Sequence, residues 1–289
     1  MKYSFFPGCA HETSAGYKES LDAVCQKLDI ELVEVPDWNC CGATITAGKS
    51  KASSLYLAAR SFALSEKNGF SNIVTGCNAC YTTLRKSADI LFANKQQLEK
   101  VNLTLKQEGL NLSKKITIQH LMDVLFNGIE EDIWKSHGDE ALKEINIACY
   151  YGCQYSRPWL KGRKSEHPEF LENMLNTLGF NAVDHSAKTQ CCGAAGAMPN
   201  VDIARTLVGR IADRMKKAGC DAAITICPLC QFNMDSLQAG SKAPAIPILF
   251  FTQLIGLYFK IEPERLGLDK LLVNSDVLIQ KFEKLKITS

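Results

Sequence analysis

Apolar and polar positions along this chain follow two periods in turn. Short apolar runs at Tyr3–Phe6, Ile30–Val35 and Asn72–Thr75 read as strands. Amphipathic stretches at Ser14–Leu28, Ala52–Lys67 and Ala79–Ala93 read as helices between and after them. The same order returns later. Strands are predicted at Ile145–Tyr150, Phe180–Asp184 and Ala222–Ile226, and helices at Pro168–Leu178, Val201–Lys217 and Leu229–Gln238. Gln119–Phe126 and Phe250–Phe259 read as matching helices late in each half, and Gly69 and Gly179 stand where helices should be capped. The polar stretch Asn94–Lys115 reads as an insertion and Glu130–Glu144 as a linker. Strand–helix alternation predicts an α/β fold of two similar, duplicated domains, each a small parallel-sheet unit, over residues 1–140 and 145–289.

Composition narrows the class. The chain has 289 residues, 46% of them hydrophobic and 22% charged, which excludes a disordered or low-complexity protein. Net charge is +2 from 33 basic and 31 acidic side chains, so no overall field favours nucleic acid or anionic lipid. The longest apolar stretch, Ile246 to Phe259, is broken by Pro247, Thr252 and Gln253 and falls short of the ~20 residues a membrane crossing needs. The start, MKYSFFPGCAHE, has no apolar core of signal-peptide length. The expectation is a cytoplasmic protein without a transmembrane segment. In that reducing setting 13 cysteines point to metal or redox chemistry rather than to disulfides.

Ten of the cysteines fall into two copies of one pattern. The first is Cys9-x30-Cys40-Cys41-x35-Cys77-x2-Cys80 and the second Cys153-x37-Cys191-Cys192-x34-Cys227-x2-Cys230. Gly8-Cys9 matches Gly152-Cys153, and Cys40-Cys41-Gly42-Ala43 matches Cys191-Cys192-Gly193-Ala194. Each CxxC follows a strand and opens a helix, where free N–H groups and the dipole favour thiolates. The strand ends before Cys9, Cys77, Cys153 and Cys227 should share the carboxyl edge of a sheet, where open α/β folds place ligands.

Five thiols exceed what one metal ion or an ordinary cubane cluster takes. The adjacent pair is the informative part. Neighbouring side chains on an extended chain point to opposite faces. Two consecutive cysteines reach one compact site only through a tight turn, or they reach different metals of a larger, irregular cluster. Gly42 and Gly193 would let the backbone approach closely. Zinc held by four of the five thiolates at one site stands as an alternative.

These motifs resemble those of the B-type subunit of heterodisulfide reductase, a CCG cysteine-rich domain family. The resemblance runs from Phe6-Pro7-Gly8-Cys9 to Cys230, although the x30 and x34 spacers are each one residue short of the expected pattern. It implies two noncubane [4Fe–4S] clusters. Cys9, Cys40, Cys41, Cys77 and Cys80 would hold the first, and Cys153, Cys191, Cys192, Cys227 and Cys230 the second. The clusters themselves would be the catalytic groups, cleaving or forming a small-molecule disulfide such as that of coenzymes M and B, with no side chain assigned. Electrons would come from a ferredoxin-like subunit of the C type and a flavoprotein subunit of the A type. In keeping with that, the chain carries neither a C-x2-C-x2-C-x3-C-P run nor G-x-G-x-x-G. Related CCG proteins accompany succinate, glycolate or lactate oxidoreductases as electron relays, which gives a second reading. A zinc-stabilised docking subunit is a third.

Weaker signals remain. Cys149 is a substitute ligand or a buried strand residue, and Cys25 and Cys220 read as small core residues. His11 and His185 either hand a proton to a departing thiolate or are hydrogen-bonded structural residues. Arg157, Lys161, Arg163 and Lys164 form a basic run that suits an anionic substrate, an acidic partner or plain solvent.

Overall fold

The computed structural model describes residues 1–43, 50–135, 140–155, 167–239 and 245–288. The basic run Arg157–Lys164 lies outside them. The chain forms two compact units, Met1–Ala10 with Asp29–Leu125 and His11–Leu28 with Phe126–Ser289.

The earlier residues give β1 (Lys2–Phe5), α1 (Tyr17–Lys27), β2 (Glu31–Glu34), α2 (Lys51–Lys67), β3 (Asn72–Thr75), α3 (Asn78–Ala93), α4 (Lys95–Leu105), β4 (Thr117–His120) and α5 (Leu121–Gly128). The later ones give α6 (Glu131–Lys135), β5 (Asn146–Tyr150), α7 (Gly152–Tyr155), α8 (Phe170–Leu178), β6 (Asn181–Val183), α9 (Val201–Lys217), β7 (Ala222–Thr225), α10 (Pro228–Gln238), β8 (Ile248–Phe250), α11 (Phe251–Tyr258) and α12 (Asp276–Thr288).

The first unit holds a parallel sheet in the order β2-β1-β3-β4, and the second a parallel sheet in the order β6-β5-β7-β8. The duplicated α/β fold expected from the repeat is therefore present. Parallel neighbours need a crossover, and helices such as α2, between β2 and β3, supply it. Each sheet reverses its winding between its first and third strands, so each has a switch point with a crevice at the strand carboxyl ends. The core of the first unit is built on fully buried Phe6, Phe62, Ile73, Leu84 and Leu91. In the second, Tyr150, Val208, Met215, Met234 and Ile248 pack together with Cys192.

Helix α1 comes early in the sequence but belongs to the second unit. Tyr17 packs edge-on against Phe250 at 4.5 Å, and the Ser20 and Thr252 hydroxyls share a hydrogen bond of 2.6 Å. Gly16, at φ 71°, lies against Gln253 and the backbone of Leu266 and Gly267, leaving no room for a side chain.

Three elements differ from the sequence expectation. Gln119–Phe126 is divided: Thr117–His120 pairs with β3, and the helix begins only at Leu121. A four-residue strand running into a helix has too few positions to show its own period. Asn94–Lys115 contains helix α4, which buries only Val101 and Leu105 and so reads as polar throughout. Glu130–Glu144 contains α6 and a short 3₁₀ turn at Glu140–Glu144. The glycine caps hold: Gly179 ends α8 at φ 90°, and Gly69 follows α2 at φ 84°.

Candidate functional site

In the first unit all five cysteines of the pattern lie just past strand ends. Cys9 follows β1, Cys40 and Cys41 follow β2, and Cys77 and Cys80 follow β3. The strands that flank the switch point thus supply both ends of the set.

The CxxC spacing has a local cause. Cys77 is the N-cap of α3, in extended conformation, and Cys80 is its third helical residue. Cys227 and Cys230 hold the same positions on α10, with Pro228 between them at the first helical position. N-cap and third-residue side chains lie near each other at a helix end. Cys77 and Cys80 are accordingly in hydrogen-bonding contact.

The adjacent pair uses a tight turn. Gly42 N–H reaches Cys40 Sγ at 3.4 Å, and Ala43 N–H bonds the Cys41 sulfur. Gly193 N–H reaches Cys191 Sγ at 3.3 Å, and Ala194 N–H bonds the Cys192 sulfur. Gly42 and Gly193 have φ of 79° and 83°, which a side chain would disfavour. The turn brings consecutive sulfurs to one side of the chain, and Cys40 and Cys41 touch.

Glycine also opens the approach of the first cysteine. A side chain at Gly8 would come within 2.9 Å of Cys80 Sγ, and one at Gly152 within 3.3 Å of Cys230 Sγ. Both glycines have positive φ.

Thiols of the first unit form a run of pairwise contacts, Cys9 to Cys40, Cys40 to Cys41, Cys41 to Cys80 and Cys80 to Cys77. Hydrogen bonds from Cys41 and Cys9, then the Gly42 N–H, hold the Cys40 thiol far below its ordinary range despite its burial. The same bond to Cys40 pushes Cys41 up to about 12 and raises Cys9. In the second unit Cys192 touches Cys230, which touches Cys227. The Cys230 contact and the Ala194 N–H lower Cys192, and Cys230 rises in consequence.

Among the described residues no three or more His, Cys, Asp or Glu side chains are grouped as a metal ion would require. A single ion needs four donors around one point. The five soft thiols of the first unit, joined by pairwise contacts with backbone N–H groups at Cys40 and Cys41, suit a thiophilic metal or a polynuclear sulfur-rich centre.

Residues not singled out from sequence brace these turns. Asn39 Nδ2 donates to the carbonyls of Cys40 and Leu57, at 3.0 and 3.1 Å. Arg60 donates to the Asp37 carbonyl at 2.5 Å and pairs with the carboxylates of Asp37 and Glu108. In the second unit Asn233 Nδ2 donates to the Cys192 carbonyl at 2.8 Å. Lys188 accepts at its carbonyl from the Tyr151 and Gly152 N–H groups, while its ammonium pairs with Glu172 and Asp184 at 2.9 and 2.8 Å. The chemistry-bearing motif hid them because a brace needs only a donor of the right length, on any element.

The minor candidates resolve. His185 Nε2 is 2.9 Å from the Cys149 carbonyl, and its Nδ1 accepts from the Ala187 N–H at 3.3 Å. The ring is therefore a neutral Nε2–H tautomer committed to backbone, and burial lowers its pKa. His11 lies in the second unit, edge-on to Tyr17 and 3.3 Å from Glu12. Cys149 is fully buried in β5, where desolvation raises its thiol. Burial likewise pushes Cys25 up to about 12 and Cys220 to about 11.

Two similar parallel-sheet units, each with a glycine-lined edge of five cysteines, define a duplicated cysteine-rich protein. The chain belongs to the CCG cysteine-rich domain family, which it matches over residues 3–85 and 147–235. It is 29% identical over 281 residues to the B-type subunit of the ferredoxin/F420H2-dependent CoB–CoM heterodisulfide reductase of Methanosarcina acetivorans, covering 93% of each chain. It is also 29% identical over 286 residues to the 8-methylmenaquinol:fumarate reductase membrane anchor subunit of Wolinella succinogenes, covering 96% of this chain and 99% of that one. A crystal structure of a hypothetical protein from Helicobacter pylori shares the fold, with a TM-score of 0.75 at 16% identity. That match covers 94% of this chain and 52% of the other. No described helix is long and apolar enough to cross a membrane. Family and relatives together support an electron-transfer role in an oxidoreductase.

Proposed function

We propose that this chain is the cluster-bearing subunit of a heterodisulfide-reductase-like complex, with one noncubane [4Fe–4S] centre in each unit. The observation that carries the reading is the five-cysteine pattern repeated in both units, with the first copy joined in one run of contacts and Cys192, Cys230 and Cys227 joined in the second. Cys9, Cys40, Cys41, Cys77 and Cys80 hold the first centre, and Cys153, Cys191, Cys192, Cys227 and Cys230 the second. When bound, such centres supply electrons singly, so a pair of them matches the two electrons of a disulfide bond.

The protein's own share is binding and tuning. The positive dipole ends of α3 and α10, at Cys77 and Cys227, stabilise thiolates. The Gly42 and Gly193 turns add further N–H donors, which raise a centre's reduction potential. Gly8 and Gly152 keep the backbone from blocking the sulfurs of Cys80 and Cys230. Electrons arrive from partner subunits of the ferredoxin-like and flavoprotein types.

The similarity to a quinol-linked fumarate reductase subunit favours a second reading, that of an electron relay without a disulfide substrate. Metal analysis of anaerobically purified protein tests the shared premise. Iron and acid-labile sulfide in equal amounts, with little zinc, support both readings. Zinc without sulfide overturns both and leaves a docking subunit. EPR of the oxidised protein with added thiols separates the two: a thiol-dependent signal marks the reductase, and an indifferent one marks the relay.

A further inference from the structure

The two cysteine sets are built alike, but the residue two positions before the leading glycine differs. It is Phe6 in the first unit and Tyr150 in the second. Both side chains are fully buried, and both lie beside their glycine: Phe6 within 3.7 Å of a Gly8 Cβ, and Tyr150 Cε1 within 3.5 Å of a Gly152 Cβ.

The difference is one hydroxyl. Tyr150 Oη is 3.7 Å from the point a Gly152 side chain would occupy, and Cys230 Sγ is 3.3 Å from the same point. The hydroxyl donates to the Gln190 carbonyl at 2.6 Å. Gln190 is the residue before Cys191, so this bond fixes the entry to the cysteine pair. The Tyr150 ring also packs with Cys192 and Cys230 in one buried cluster. Phe6 has no hydroxyl to offer. Its ring lies edge-on to Trp38 at 5.7 Å, and Thr189 stands at the position equivalent to Trp38. An aromatic pair thus closes the first site where a phenol–carbonyl bond closes the second.

We propose that Tyr150 is a positioning residue that sets the second centre apart from the first, by pinning the Gln190–Cys191 backbone and placing a phenol dipole against Cys192 and Cys230. This rests on the reading that each unit holds an iron–sulfur centre. A fixed dipole beside sulfur shifts a centre's potential, and the low dielectric of a buried site enlarges the effect.

The test is Tyr150→Phe in the full chain, which gives the second site the residue of the first. Redox titration followed by EPR should show one of the two centres shifted in midpoint potential and signal shape, with the other unchanged and iron content retained. In metal-free protein, loss of the bond should speed alkylation of the buried Cys192 about fivefold, the equivalent of one hydrogen bond. Thr189→Trp added to Tyr150→Phe should bring the shifted centre closer to its partner. Two centres unmoved in Tyr150→Phe, or both moved equally, overturn the proposal while leaving the two-centre reading intact. A wild-type protein without iron and sulfide defeats that reading and the proposal with it. If Tyr150→Phe fails to retain iron, unchanged Cys192 alkylation counts against the proposal and accelerated alkylation supports the pinning it requires.

Discussion

Cys77 and Cys80 occupy the cap and third positions of one helix end, and their side chains are in hydrogen-bonding contact. Cys227 and Cys230 repeat the arrangement on α10. The two-residue spacer of each CxxC is thus set by helix geometry, and neither cysteine can be moved by one position. Cys80→Ser should lower iron content by the share of one centre and leave the second centre's EPR signal in place. Cys230→Ser should do the converse. Iron analysis with EPR checks both, and loss of both signals from either variant would contradict independent sites.

Gly8 and Gly152 should differ in their tolerance of a side chain. A Cβ at Gly8 would approach Cys80 Sγ to 2.9 Å, a contact that forces a shift, whereas at Gly152 the sulfur lies at 3.3 Å. Each glycine also sits at positive φ, where alanine costs about 1 kcal/mol or more. Gly8→Ala is expected to empty the first centre, and Gly152→Ala to reduce occupancy of the second only partly. Iron content per chain after anaerobic reconstitution measures both.

The brace at Arg60 yields an expectation about stability. Its guanidinium bonds the Asp37 carbonyl and two carboxylates, and Asp37 itself has a positive φ of 49°. Asp37 is largely exposed, so the ion pair alone contributes little. Loss of the charge-assisted bond to the backbone costs about 1.5–3 kcal/mol. Arg60→Ala should lower the melting temperature and speed iron loss from the first centre, and Arg60→Lys should recover part of each because it restores charge without the planar fork. Thermal melts and chelator-challenge kinetics report these changes.

How far these features were legible depends on whether the signal was local. Helix periods, the glycines that end α8 and follow α2, and the two cysteine patterns are written in residues close together in the chain. The strand at Thr117–His120 was not legible, because its pairing with β3 lies beyond four residues of pattern. Helix α1 shows a clear period, but its packing on α11 depends on Tyr17 and Ser20 meeting Phe250 and Thr252, more than 200 positions away. The site divided along the same line. Cysteine spacing marked the thiols that follow the strand ends, while Arg60, Asn233 and Lys188 act through backbone carbonyls and leave no motif.

The buried ion pair of Lys188 gives a sharper case. Its ammonium lies 2.9 Å from Glu172, and both side chains are under 15% exposed. Tyr151 also donates its hydroxyl to Glu172. Removing one partner of such a pair leaves a charge without its counterpart, at a cost of about 3–5 kcal/mol. Lys188→Met should therefore destabilise the second unit far more than Lys217→Met, whose pairing with Asp213 is exposed. The double variant Lys188→Met/Glu172→Gln should recover much of the loss. Denaturant titration of these variants, with Glu172→Gln alone closing the cycle, measures the coupling.

His185 makes the stability of the second unit depend on pH. Burial holds its pKa below the ordinary value of 6.5, since Nδ1 must accept from Ala187 while Nε2–H faces the Cys149 carbonyl. The unfolded chain, with its imidazole at the ordinary value, binds the proton more readily than the folded one. Stability from this group is therefore complete above pH 6.5 and is lost as pH falls through that value toward the depressed folded-state pKa. The slope cannot exceed about 1.4 kcal/mol per pH unit for one proton. His185→Gln keeps a side-chain amide for these backbone groups but cannot take up the proton. It should be less stable at about pH 7.5 and should show a flatter decline between about pH 6.5 and 5. Parallel denaturant titrations of both proteins across that range decide the point, and equal slopes would remove His185 as the titrating group.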